Sequence, residues 1–125
     1  MGRNIVKVLE KKFADMKAGD RMYISSPEEI KSFIINIPRG TSKSLKEMRL
    51  DLANTKGADN TCPVTTGIFL RIAVEASLEE QSKKKLKKPK LPFWRIIDEK
   101  STIAKKLTIS KKLLKAYKSQ ESINE

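Results

Sequence analysis

Apolar positions along the chain fall into a few short periodic groups separated by glycine, proline and lysine. Ile5, Leu9, Phe13 and Met16 recur at helical spacing before Gly19, which predicts an N-terminal amphipathic helix over Ile5 to Lys17. Arg21-Met22-Tyr23-Ile24 is β-prone but brief, and reads as a short strand or an extended lead-in. In Ser26-Pro27-Glu28-Glu29, the serine can cap a helix, the proline suits its first position and Glu29 can complete a capping box. Ile30, Phe33, Ile34 and Ile37 then form one apolar face, stopped by Pro38 and Gly40. A second helical pattern runs from Ser44 to Ala53 with Leu45, Met48, Arg49 and Leu52 on one side.

After a polar loop over 54–60, a third helix is expected from Cys62 or Pro63 to about Glu80, with Ile68, Phe69, Ile72, Ala73 and Ala76 as its core stripe. Two helices joined by a glycine-containing link follow helix-turn-helix order, although this link is longer than the tightest version. Leu91 to Ile97 is rich in aromatic and β-branched residues and reads as a strand, placed where a winged helix would carry its wing. On a strand, Phe93 and Trp94 would face opposite ways, one into the core and one into an exposed pocket. Ser110 can cap a last helix with Leu113, Leu114 and Tyr117 on one face, and Glu121 to Glu125 is expected to fray.

These elements make a mainly α protein: a winged helix-turn-helix-like domain over 21–109 with a short β wing, an N-terminal helix over 1–20, and a C-terminal helix and tail over 110–125. The length fits one such core. No run approaches a membrane span and the N-terminus has no long apolar stretch, so a cytoplasmic protein without a membrane partner is expected. Histidine is absent, which removes histidine triads and most zinc sites, and no metal or cofactor is expected.

Charge changes the picture more than length does. The net charge is +12, and residues 83–118 hold 14 Lys and Arg against two acids. The rest of the chain balances to zero. Such asymmetry points to a polyanionic partner. Lys83, Lys84, Lys85, Lys87, Lys88 and Lys90, in a low-complexity loop, can neutralise phosphates without reading sequence. A solvated lysine-rich loop gives the same composition. Thr65 and Thr66 sit beside the free N–H groups of a helix start, which suits phosphate or plain capping, and Arg71 further along could face a groove. The lone cysteine, Cys62, lies at the same helix start, where a thiolate is favoured; it reads either as an alkyl acceptor or thiol nucleophile or as an inert packed residue. Gly67 in mid-helix costs about 1 kcal/mol relative to alanine, which close approach of another surface would explain.

Cys62-Pro63-Val64-Thr65-Thr66-Gly67-Ile68-Phe69, followed by Pro92-Phe93-Trp94-Arg95, resembles the alkyltransferase-like proteins related to alkylguanine-DNA alkyltransferase. It is similar in particular to a bacterial branch carrying Cys-Pro-Ile-Thr-Thr-Gly-Ile-Phe and then Pro-Tyr-Trp-Arg. The resemblance covers Met22 to Leu107, with Ser44 to Met48 where the family has the first helix of its helix-turn-helix. It implies a winged-helix domain whose second helix, from Pro63, enters the minor groove. It also implies an alkyl pocket at Pro92, Phe93, Trp94 and Arg95. In the family's Pro-Cys-His-Arg motif, Phe93 replaces the acceptor cysteine and Trp94 the histidine, so the resemblance implies a protein that binds duplex DNA and recognises alkylated guanine for repair without itself transferring the alkyl group. The family's base-flipping tyrosine falls near Leu45 and its arginine finger at Val64, and neither residue matches. The expected protein is therefore a monomeric, non-enzymatic DNA binder of the alkyltransferase-like type. The alternatives are an enzyme using Cys62, and an RNA- or acidic-protein-binding module using the same basic surface.

Overall fold

A computed structural model describes residues 5–98, 102–107 and 111–121. Its elements in chain order are β1 (Ile5–Val8), β2 (Arg21–Ile24), α1 (Pro27–Ile35), α2 (Leu45–Asn54), β3 (Asn60–Thr61), α3 (Pro63–Lys84), a 3-10 turn (Phe93–Arg95), α4 (Thr102–Lys106) and α5 (Lys111–Gln120). The protein is mainly helical, with one small sheet in the order β1-β2-β3. Strand β1 pairs antiparallel with β2, and β2 parallel with β3.

The N-terminal helix expected over Ile5 to Lys17 is absent; the segment holds β1 and a tight turn instead. Ile5, Val6 and Val8 are β-branched and take up the pairing that β2 offers. Phe13 and Met16 exchange backbone hydrogen bonds of 2.9 Å around Ala14 and Asp15. Ala14 takes a left-handed φ of 54° there, which no helix interior allows. The turn is held down by Arg49 on α2, whose guanidinium makes a bidentate pair with Asp15 at 2.7 and 2.8 Å and donates through Nε to the Thr61 carbonyl. Arg49 is itself buried, and this pairing holds the Asp15 carboxyl below its usual range.

Helix α1 starts as its sequence dictates, with the Ser26 hydroxyl accepting from the Glu29 amide. The return half of that capping box is missing because the Glu29 carboxylate accepts from the Tyr23 hydroxyl instead. Burial, and then this bond, push the Tyr23 phenol far above its ordinary range. A complete capping box forms at α2, where Ser44 and Glu47 satisfy each other's amides at 3.1 Å.

The main core gathers Tyr23, Ile30, Ile34, Met48, Leu70, Val74, Phe93 and Trp94. Helix α3 packs chiefly on α1, while α2 meets β3. The link between α2 and α3 is a sheet-forming segment, with Cys62 N–H donating to the Tyr23 carbonyl at 2.8 Å. A smaller cluster of Leu9, Met16, Met22 and Cys62 fills the other side of the sheet.

The strand expected over 91–97 is also absent. Pro92 has no N–H to give a ladder, and the segment satisfies itself locally: Arg95 donates to the Pro92 carbonyl, and Ile96 and Ile97 to that of Phe93. The sheet therefore lies before α3 rather than after it, and no wing follows α3 among the described residues. Ser110, the expected cap of the last helix, and residues 122–125 lie outside the described residues.

Candidate functional site

Helix α3 carries most of the residues singled out in the sequence, and its rotation decides what they can do. The buried face is Thr66, Leu70, Val74 and Ser77. The expected stripe is displaced: Phe69 and Ala73 pack at the edge of the core, while Ile68 and Ile72 are about half exposed and Ala76 is exposed. Val64, Ile68 and Ile72 form an outward aliphatic row at i, i+4, i+8. Apolar residues lie nearly all round this helix, so periodicity does not single out a face, and packing on α1 selects one.

Neither threonine hydroxyl at the start of α3 is open to solvent as a phosphate site requires. Thr66 is buried and its hydroxyl donates to the Cys62 carbonyl at 2.6 Å, while the Thr65 hydroxyl is buried without a partner. Thr66 lies on the packed face, which corrects the expected nucleic-acid contact there; Thr65 is half-buried and off that face. Arg71 is on the outer face as expected, but pairs with Glu75 at 3.5 Å. Glu79 lies one turn further and pairs with Lys83 at 2.8 Å. Gly67 has open space around it: a Cβ built there meets nothing within 4 Å, so no packed neighbour among the described residues explains it.

Cys62 is buried, in an apolar cluster with Leu9, Met16 and Met22. Its carbonyl and N–H serve α3 and β2, and its side chain serves packing.

The residues expected to line an alkyl pocket are core. Pro92, Phe93 and Trp94 are all buried, against the expectation that one aromatic would face out. A 3-10 turn does not alternate sides as a strand does, and α5 closes over it. Tyr117 of α5 lies 4.7 Å from the Trp94 ring and 6.2 Å from Phe93. Arg95 is committed as well: it makes a bidentate pair with Glu121 at 2.8 and 2.9 Å and donates to the Ile37 carbonyl. Glu121 is expected from sequence to fray, yet its side chain is 1 % exposed and also accepts from the Gly40 amide. The Arg95 guanidinium holds the Glu121 carboxyl down at about 2, and the nearby Trp94 indole adds to this without reaching hydrogen-bond geometry. On α5, Leu114 and Tyr117 are buried, whereas Leu113 is 40 % exposed rather than on the packed face.

What remains accessible is lysine. Lys83 and Lys84 end α3 with ion pairs to Glu79 and Glu80, and Lys85 takes a left-handed cap position with φ 52°. Lys87 and Lys90 are exposed, the latter 3.9 Å from Glu80. The segment is ordered by its neighbours: Gln81 donates to the Lys87 carbonyl, and the Lys88 ammonium lies 6.0 Å from the Trp94 ring. Exposed pairs of this kind contribute little to stability and give way readily to a stronger anion. Lys112 and Lys115 on α5 are exposed too.

No protein-family model, curated protein or solved structure matches this chain. Among the described residues no group of His, Cys, Asp and Glu is arranged to hold a metal ion, and no helix is long and apolar enough to cross a membrane. Nothing in the local sequence signals the Arg95–Glu121 pair or the outward Val64–Ile68–Ile72 row. The first joins residues 26 positions apart, and the second depends on helix rotation.

Proposed function

We propose that this protein is a non-enzymatic DNA-binding protein of the alkyltransferase-like type, holding duplex DNA mainly through its lysines. The observation that carries this reading is the concentration of the whole +12 charge in residues 83–118, with Lys83, Lys84, Lys85, Lys87 and Lys90 exposed around the end of α3. Contacts of this kind neutralise phosphates and carry little sequence information. The resemblance to alkyltransferase-like proteins extends the reading to alkylated guanine. The burial of Phe93 and Trp94 and the engagement of Arg95 favour a binder that does not discriminate the lesion strongly.

Fluorescence anisotropy with matched duplexes, with and without one alkylated guanine, tests both levels. Binding that weakens steeply with salt supports the DNA reading, and a gain of about tenfold or more for the alkylated duplex would restore lesion recognition. Affinity that is absent, or indifferent to salt, overturns it.

A further inference from the structure

The sheet ends on a strand that nothing in the described chain covers. Strand β1 is exposed along its whole length, with Ile5, Val6 and Val8 each about half exposed. Its backbone polarity follows from the pairing. Leu9 N–H donates to the Asp20 carbonyl at 2.9 Å, and residues of an antiparallel strand turn their amides alternately toward and away from the partner. Lys7 and Ile5 therefore bond to Met22 and Ile24, while Val6 and Val8 turn their N–H and C=O groups outward. The far side of β2 agrees: the carbonyls of Arg21 and Tyr23, opposite Val8 and Val6, accept from Asp59 and Cys62 instead.

Two further features lie at the end of this edge. An open hollow of about 360 Å³ is lined by Val8, Leu9 and Phe13, with Lys7, Lys11 and Lys12 around it. Among the described residues these three lysines are exposed and form no ion pair, and Glu10 is the only acid lining the hollow.

We propose that β1 accepts an extended acidic peptide segment of another protein, added as a further strand alongside Val6 and Val8. Main-chain hydrogen bonds give such additions their affinity and alternate side chains their specificity. The free edge at strand spacing fits a peptide backbone and not a nucleic-acid backbone. The hollow suits one apolar anchor, and the lysines suit carboxylates on its neighbours. A second copy of this chain is disfavoured because it would bring Lys7, Lys11 and Lys12 against their equivalents. The residues involved are ones the DNA reading does not use.

The test uses the full chain, isotopically labelled, and an acetylated seven-residue peptide alternating valine with glutamate and carrying one phenylalanine. A peptide with lysine for glutamate is the counterpart. Amide hydrogen exchange should slow by about tenfold or more at Val6 and Val8 on adding the glutamate peptide, and stay unchanged at Ile5 and Lys7, whose amides already bond to β2. Val8→Pro removes one outward donor without breaking a bond to β2, and should weaken binding about tenfold or more with far-ultraviolet circular dichroism unchanged. Replacing Lys11 and Lys12 with glutamate should weaken it similarly. No protection at Val6 and Val8 at millimolar peptide, or equal binding of the lysine peptide, overturns the proposal. A dimer without peptide that Val8→Pro dissolves also overturns it, by giving the edge to a second copy.

Discussion

Arg95 and Glu121 illustrate how much a single buried contact can fix. The carboxylate accepts from the Arg95 guanidinium and the Gly40 amide, so its pKa is held well below the ordinary 4.5, at about 2. A carboxyl with a lowered folded pKa contributes stability that is complete above its unfolded value and lost as pH falls through the folded one. Stability should therefore decline between about pH 4.5 and about pH 2, and Glu121→Gln should remove the Glu121 share of this decline while the share from the Asp15–Arg49 pair stays, as read by denaturant midpoints across that range. At neutral pH, Arg95→Met leaves a buried carboxylate without its partner and should cost about 3 kcal/mol or more. Cys62 makes a separate residue-scale case. Packed among Leu9, Met16 and Met22, its thiol should react with an aromatic disulfide reagent far more slowly in the native protein than in denaturant. Fast native labelling would bring back a chemical role for Cys62.

At the scale of elements, the two capped helices differ in a way that sequence alone inverts. Ser26-Pro27-Glu28-Glu29 has the stronger signature, yet Glu29 is drawn away by Tyr23, and the complete box forms at Ser44 and Glu47. Ser44→Ala should cost about 1 kcal/mol in chemical denaturation. Glu47→Gln should cost less, because its amide oxygen can still reach the Ser44 N–H. Helix α3 offers the opposite experiment. Gly67 has helical neighbours and open space around it, so Gly67→Ala should stabilise the protein by roughly 0.5–1 kcal/mol. If that substitution also weakens DNA binding, the glycine is kept for close approach of the duplex; if binding is unchanged, it is tolerated without a contact to explain it.

Across the whole molecule, two kinds of surface are separated along the chain. The N-terminal part of α3 shows aliphatic residues and paired charges, while its end and the segment after it show lysine. Replacing Lys83, Lys84, Lys85, Lys87, Lys88 and Lys90 with glutamine should leave thermal stability nearly unchanged, because their pairs are exposed. In anisotropy titrations it should flatten the dependence of DNA affinity on salt by roughly one unit of log–log slope for every phosphate no longer neutralised. A slope that stays the same would move the DNA interface elsewhere. The helices at 27–35 and 45–54, the short strand at 21–24, the helix from Pro63 and the charge asymmetry were legible in sequence, because local propensity, capping residues and composition each act within a few positions. Other features depended on partners far away in the chain. Strand β1 forms because β2 is there to pair with it, and Phe93 and Trp94 are both buried because α5 arrives with Tyr117. Thr66 turns inward because packing on α1 selects one side of a helix whose apolar residues lie nearly all round it. Where most of the helices form and where charge collects thus follow from the order of residues alone. Which side of each segment meets water was set by the assembled fold, because that choice rests on contacts between residues that no local pattern links.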